Sequence, residues 1–188
     1  SIAILNVYDR IHIKSKKPIP YVPIREADVM WSKDIWRTID LREKMNQTLY
    51  FPEKPTGQRM NFFSLLLHGM SENNLHAYQD DANSMFTTEL LMTYDEVIEK
   101  LGADTIFGKI VPRSYQVKQL LVKEKWFFDK QHSTMRVRIQ GIAPIRVFNA
   151  SVEDASGNSI TLPEVSKVII CWIYFPEYRD LFAQYEIY

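Results

Sequence analysis

Apolar positions recur every three to four residues through IREADVMWSKDIWRTIDLREKMN, Ile24 to Asn46, and no Gly or Pro interrupts the run. At about 100° per residue, Ile24, Ala27, Trp31, Ile35, Ile39 and Met45 share one side, flanked by Met30 and Leu41. That spacing predicts a long amphipathic helix, roughly 30 Å from end to end at 1.5 Å per residue. Pro20 and Pro23 hold the approach extended. Glu26 and Asp28 complement the helix dipole at the start, and Arg42 and Lys44 at the end. Val29 and Trp36 fall opposite the stripe, near Arg25, Lys33, Asp40 and Glu43. Two readings fit them: a helix packed between two layers, or a surface for a partner, since Trp and Arg anchor interfaces more often than other residues.

The rest of the pattern is mixed. Ala3, Leu5, Val7, Ile11 and Ile13 share one side of a two-residue period, which predicts a short strand or extended arm. Lys14 to Pro23 reads as a semi-rigid connector. Thr48 to Phe51 reads as a short strand, closed by a Pro52 to Gly57 turn. Asn61 is placed to cap a second helix from Phe62 to about Met70, apolar on most sides and so expected to be deeply buried. Leu75 to Gln79 and Met85 to Met92 read as strands joined by a turn at residues 80–84. Thr93 and Glu96 form a capping box for a third helix, with Gly102 at its end in a left-handed conformation.

From Val111 the character turns to strand. Tyr115 to Asp129 is expected to pair with Thr134 to Asn149 across a Lys130 to Ser133 turn. In the second strand Met135, Val137, Ile139, Ala143, Ile145 and Val147 alternate with Arg136, Arg138, Gln140 and Arg146, a half-buried pattern. Gly141 and Pro144 predict a bulge or bend between the halves, or an edge position. Residues 155–158 read as a turn. Val168 to Phe175 is apolar on both faces and so central in the sheet, and Pro176 with Glu177 opens a terminal helix. The expected class is α+β: a long N-terminal helix and two shorter helices on a mainly antiparallel sheet formed largely by the C-terminal half. One domain spans 1–188, with 1–23 an arm and connector, 24–110 helix-rich and 111–188 strand-rich.

Composition narrows the function classes. Hydrophobic residues make up 46% of the 188 and aromatics 13%, with six Gly, as in a packed domain rather than a disordered one. Lys plus Arg equals Asp plus Glu at 23 each. A zero balance argues against a polyanion partner, because nucleic-acid affinity rests on counterion release by clustered cations. It also leaves little charge repulsion between copies. No window approaches the ~20 apolar residues of a membrane span. The chain opens on Ser1 directly into an apolar segment, so a removed targeting segment or a trimmed end is expected. The single cysteine, Cys171, forbids an intrachain disulfide and leaves the redox compartment open.

Catalytic constellations are near-misses. Gly69-Met70-Ser71-Glu72-Asn73 lacks the final Gly of a nucleophile elbow and follows a helix, not a strand. Gly102 to Lys109 spaces its glycines wrongly for a phosphate loop, and Ile110 replaces the Mg²⁺-binding hydroxyl. Cys171 reads as core. His68 and His76 lack further His or Cys at zinc spacing. Asp80, Asp81, Asn83 and Glu89 lack the EF-hand pattern and its glycine, so a solvated turn explains them. Arg136, Arg138 and Arg146 could meet an acidic partner or RNA, but an exposed sheet face suffices. No catalytic, metal or cofactor residue is expected. The alternative is a cell-envelope enzyme or small-ligand or metal-binding module, with His68, His76 and nearby acids lining its pocket.

The run READVMW at Arg25 to Trp31, continued by IWR-x-ID-x-REKMN at Ile35 to Asn46, resembles the GldN/PorN family of gliding-motility and type IX secretion proteins of Bacteroidetes. The resemblance extends through PEKPTGQRMNFFSLLLHG (Pro52 to Gly69) and AYQDD…FTTEL (Ala77 to Leu90). It implies a non-enzymatic periplasmic subunit that joins the outer-membrane lipoprotein GldK/PorK in a ring and contacts the periplasmic region of GldM/PorM. The matching motif residues are Arg25, Glu26, Ala27, Asp28, Val29, Met30 and Trp31, continued by Trp36, Arg37 and Asp40. Of these, Arg25, Glu26, Asp28, Val29, Trp36, Arg37 and Asp40 are the expected partner-binding residues. The arm before Pro18 would also suit strand exchange with an adjacent protomer or partner.

Overall fold

In the computed structural model, which describes residues 13–55, 59–80, 86–106, 108–153 and 159–187, strands build the scaffold and helices cover one side of it. In chain order the strands are β1 (Val29–Asp40), β2 (Ala77–Tyr78), β3 (Leu91–Met92), β4 (Ala103–Ile106), β5 (Lys109–Pro112), β6 (Val117–Asp129), β7 (Thr134–Glu153), β8 (Ser159–Ile169) and β9 (Trp172–Tyr174). The helices are α1 (Gln47–Tyr50), α2 (Phe62–Glu72), α3 (Tyr94–Leu101) and α4 (Phe175–Gln184). The main sheet runs β1-β6-β7-β9-β2-β3, with β8 also paired to β7, and every pairing is antiparallel. β4 and β5 form a separate hairpin.

The mixed class and the antiparallel sheet of the C-terminal half match the reading from sequence. The long N-terminal helix does not. Residues 29–40 form a strand, preceded by a 3-10 turn at Glu26–Asp28 and followed by another at Lys44–Asn46. Half of this stretch is β-branched or aromatic (Val29, Trp31, Ile35, Trp36, Thr38 and Ile39), the composition of a pleated surface. The ladder with β6, from Val29↔Asp129 to Asp40↔Gln119, supplies the hydrogen bonds that a helix would have made internally. Thr48 to Phe51 is corrected the opposite way: Gln47–Tyr50 is one helical turn. The β4–β5 hairpin was not anticipated. The arm, the acidic turn at residues 81–84 and the turn at 155–158 lie outside the described residues.

Where the signals were local, they hold. Asn61 accepts the Ser64 N–H at 2.7 Å and so caps α2, whose Leu65 and Leu66 are fully buried. Thr93 and Glu96 exchange capping-box bonds at the start of α3. Gly102 ends that helix at φ +75°, but its ψ of 152° is extended, not left-handed helical. Pro176 stands in the first turn of α4.

The alternation expected along β7 holds only up to a bulge. Lys123 faces Gly141 while Glu124 faces Ile139, so Gln140 is an extra residue. Met135, Val137 and Ile139 lie on the face that Ile142 and Pro144 continue, whereas Arg136, Arg138, Gly141, Ala143 and Ile145 lie on the other. Nor is Pro144 at an edge, because β7 is paired on both sides and the Pro144 carbonyl accepts from Ile170 N at 3.0 Å. On the first face Leu120, Val122, Ile142 and Ile173 pack with Leu65 and Leu66 of α2, Val97 and Leu101 of α3, and Tyr178 and Leu181 of α4. On the opposite face Tyr78, Ala143 and Trp172 form a smaller cluster with Phe86 and Leu90. Val168–Phe175 divides: β9 is central as expected, but the run breaks at Ile170–Cys171, and Val168 and Tyr174 are exposed.

The tip of the β6–β7 hairpin is held by Asp129, which is 1% exposed. Its carboxylate accepts from the backbone N–H groups of Gln131 and His132, from Arg136 Nε at 2.9 Å, and lies 2.6 Å from His132 Nδ1. Burial pushes this carboxyl up, but its bonds to His132 and Arg136 more than offset that and hold it below the ordinary range. A carboxyl depressed by folding contributes stability above its unfolded-state pKa of about 4 and loses it as pH falls through the lower folded value. Resistance to urea should therefore fall below about pH 4, and Asp129→Asn should be less stable at pH 7 but lose less across that acid window. In the core, Leu66→Ala should cost about 2–5 kcal/mol by the same measurement.

Candidate interaction surface

Pairing with β6 sorts the side chains of β1 onto two faces. Trp31, Lys33, Ile35, Arg37 and Ile39 stand opposite Phe128, Trp126, Glu124, Val122 and Leu120. Ser32, Asp34, Trp36, Thr38 and Asp40 stand opposite Phe127, Lys125, Lys123, Leu121 and Gln119 on the other face. β1 closes one end of the sheet, and much of both faces is open.

Several of the expected partner-binding residues are committed within the chain. Arg37 pairs with Glu124, which is 1% exposed and also accepts from Trp126 Nε1 at 2.9 Å. Arg25 grips the buried Asp28 through Nε at 2.7 Å and Nη2 at 3.2 Å, and the Asp28 carbonyl accepts from Lys130 N at 2.8 Å. Asp40 ends the strand: its carboxylate accepts from the Arg42 backbone and Nε at 2.9 Å each, and from Gln119 at 3.2 Å. The Arg42 guanidinium is the main cause that holds the Asp40 carboxyl far below the carboxylate range. Val29 is half-buried and lines a cavity of about 470 Å³ with Tyr21, Lys125 and Arg138. Glu26 is exposed in the 3-10 turn.

Trp36 differs from these. It is 49% exposed, and the Lys123 ammonium lies 5.5 Å from its ring centroid. Trp31 is 48% and Met30 68% exposed on the same strand. The row Trp31–Phe128–Met135 and the row Lys33–Trp126–Val137 carry an apolar surface onto the hairpin tip, where Met135 and Val137 are exposed. The sequence reading put those two on a buried face. Their face is the core side of the sheet, but the hairpin reaches past the helices that would cover it. No local signal records where a helix layer stops.

The arginines read as a solvated sheet face have partners too. Arg138 stacks on Tyr21 at 4.6 Å and Phe127 at 5.5 Å, and Arg146 stacks on Phe148 at 3.9 Å and donates to Gln116 at 2.7 Å. His68 meets Tyr185 at 3.0 Å and His76 meets Glu177 at 2.6 Å, in separate contacts. Asp80 accepts from Trp172 Nε1, and Glu89 is exposed. Ser71 is inside α2 and donates to the His68 carbonyl, a conformation unlike a nucleophile elbow. Burial pushes the Cys171 thiol up to about 12. Among the described residues no three of His, Cys, Asp and Glu are grouped to hold a metal ion. A second cavity, about 520 Å³, is lined by Glu53, Lys54, Ser64, Leu67, Asp104 and Tyr115. Asp104 there is engaged by Arg113 Nε at 2.7 Å, which keeps it ionised. No described helix is long and apolar enough to cross a membrane.

A family model described as gliding motility associated protein GldN matches residues 24–188. This chain belongs to the GldN family. Comparison with curated proteins found no match. GldN membership implies a gliding-motility and type IX secretion component, and the family is structural rather than a known enzyme family. The match takes in all of β1 and the hairpin it packs on, while the arm and connector before Ile24 lie outside it.

The two exposed roles on β1 separate by mutation. Arg37→Ala strips the buried Glu124 of its cation and should cost about 1–3 kcal/mol in urea unfolding. Trp36→Ala, on the open face, should stay within about 1 kcal/mol of the parent.

Proposed function

We propose that this GldN protein is a non-enzymatic periplasmic subunit that assembles with the outer-membrane lipoprotein GldK/PorK in a ring and contacts the periplasmic region of GldM/PorM. The observation that carries this reading is exposed apolar area on one strand and its neighbouring hairpin: Trp31, Met135 and Val137 on the core side beyond the helices, Trp36 on the opposite face, and Met30 at the register shift. Exposed large apolar groups clustered on rigid strands are suited to bury against another protein, and aromatic anchors contribute most of the energy of such contacts. The residues first expected to bind a partner divide accordingly. Trp36 supplies contact area, Val29 and Glu26 stand at the far, N-terminal end of the same strand, and Arg25, Asp28, Arg37 and Asp40 shape the strand that presents it.

A second reading, a small-ligand module of the cell envelope, has one observation in its favour. The 520 Å³ cavity beside Asp104 and Tyr115 has the volume of an ordinary ligand pocket. Two of its polar groups are already engaged from outside the lining: Arg113 holds Asp104, and Tyr50 donates to the Tyr115 carbonyl at 2.9 Å. That leaves the aromatic surface as the stronger feature.

Mixing the chain with the lipoprotein and measuring the mass of the product tests the first reading. A complex should form, and Trp36→Ala should weaken it by about 2 kcal/mol, roughly thirtyfold, while leaving the circular dichroism unchanged. No complex under any condition would reject the proposal, and an insoluble Trp36→Ala chain would assign that residue to the core.

A further inference from the structure

Among the described residues, one side of the β1 backbone pairs with no strand. Leu41 N donates to the Lys118 carbonyl at 2.9 Å, which fixes the phase of the antiparallel ladder. Lys33, Ile35, Arg37 and Ile39 therefore turn their N–H and C=O groups toward β6. Ser32, Asp34, Trp36 and Thr38 turn theirs outward, where no described strand pairs with them, while the outward Asp40 carbonyl is taken by Asn46 Nδ2 at 2.8 Å. Twelve residues is about twice the usual strand length, and a long open edge is a template for one more strand.

We propose that the occupant of this edge is the N-terminal arm of a second copy of the chain, added as an antiparallel strand. An incoming strand must offer apolar residues and an acid to the face of Trp31, Lys33, Ile35, Arg37 and Ile39. To the other face it must offer polar and basic residues, opposite Ser32, Asp34, Trp36, Thr38 and Asp40. The arm has that alternation: Leu5, Val7, Asp9 and Ile11 on one side, and Asn6, Tyr8, Arg10 and His12 on the other. In the register that sets Asp9 opposite Arg37, Val7 meets Ile39, Ile11 meets Ile35, and His12 meets Asp34. The same register lays Arg10 on Trp36, a cation–π contact like the one Lys123 makes from the opposite neighbour. The Arg37 side chain is 60% exposed despite its pairing with Glu124, so its other donors are accessible to Asp9.

The connector favours a neighbouring copy over the chain's own edge. Tyr21 is clasped between the guanidinium groups of Arg138 and Arg179, at 4.6 and 3.9 Å, and Arg138 Nη2 donates to the Val22 carbonyl at 2.7 Å. Arg179 also holds the Ile19 carbonyl. The anchoring arginines lie on β7 and α4, with β6 between them and β1, and Tyr21 shares a cavity only with the start of that strand, at Val29 and Ser32. Pro18, Pro20 and Pro23 stiffen the connector in extended form, and Ile19 at its midpoint is 85% exposed. Doubling back would have to bend that stiff segment around the sheet end. With no net charge, copies approach without long-range repulsion. Donation to one neighbour and acceptance from another is a head-to-tail contact, the kind that closes rings. The inference rests on the assembly reading above and gives it a mechanism for self-association.

Cross-linking tests it. Ile11 and Ile35 would form a pair whose backbones do not bond each other, the closer spacing in an antiparallel ladder and one a disulfide can span. One copy carrying Ile11→Cys and a differently tagged copy carrying Ile35→Cys should form a covalent heterodimer on mild oxidation. Trp36→Cys, on the opposite face, should not replace Ile35→Cys. Cys171 is buried and does not compete. Deleting residues 1–12 should weaken self-association more than tenfold. Absence of the Ile11–Ile35 cross-link, or a closed loop within one chain carrying both substitutions, would overturn the proposal. If the cross-link fails while the chain still binds the lipoprotein, the edge assignment falls and the assembly reading stands. If both fail, both fall.

Discussion

One extra residue governs how this molecule is layered. A strand alternates its side chains with a period of two, so any face assignment persists along the strand unless a residue is added. At Gln140 one is added. Odd-numbered residues up to Ile139 and even-numbered residues from Ile142 therefore address the same side of β7. On that side Ile142 reaches the helical core with Ile173, while Ala143, of the opposite parity, joins Tyr78 and Trp172 on the far face. Without the bulge, β7 would have to choose between the hairpin tip and the core.

That insertion also explains why Gly141 is glycine. A Cβ there would fall 2.6 Å from Phe86 Cζ and 3.2 Å from the carbonyl oxygen of Ile173. The bulge brings the backbone of β7 close beneath the ring that closes the smaller cluster, and the strand next door is equally close. Twist increases locally at a bulge, and the long β6–β7 hairpin leaves the helix layer beyond it. The exposed row at Trp31, Met135 and Val137 is thus a consequence of strand length exceeding helix cover. It did not require an unusual local sequence.

Legibility of the sequence followed the range of the interaction. Asn61, the Thr93–Glu96 box, the Lys130–Ser133 turn and Pro176 act within three or four residues, and each was readable. β1 was not. Its apolar residues at Trp31, Ile35 and Ile39 are four apart, which satisfies a helix and a strand equally once Lys33 and Arg37 occupy the positions between. A buried strand would have put apolar residues there and revealed the period of two. An edge strand tolerates charge, so the charges that suit it to the edge hid its period. What decided between the alternatives is the ladder to β6, some ninety residues away, and no window on the sequence contains it. The site suffered the same limit: exposure of Trp36 was anticipated on the wrong element, and the commitment of Arg37 to Glu124 depends on that distant partner.

The charges on β1 also set what kind of contact its edge allows. Asp34 has Lys125 at 2.8 Å, Arg37 has Glu124 and Asp40 has Arg42, so these three charges are countered before any partner arrives. Balanced charges that remain partly hydrated discourage indiscriminate pairing, because an apolar strand laid across them would strip water without returning hydrogen bonds. The irregular register between Val29 and Trp31 further limits pairing at the start of the strand. A strand with matching polar and charged positions escapes the first penalty, and one that pairs beyond Trp31 avoids the second. The features that guard this edge against indiscriminate pairing would therefore also restrict which strand could join it.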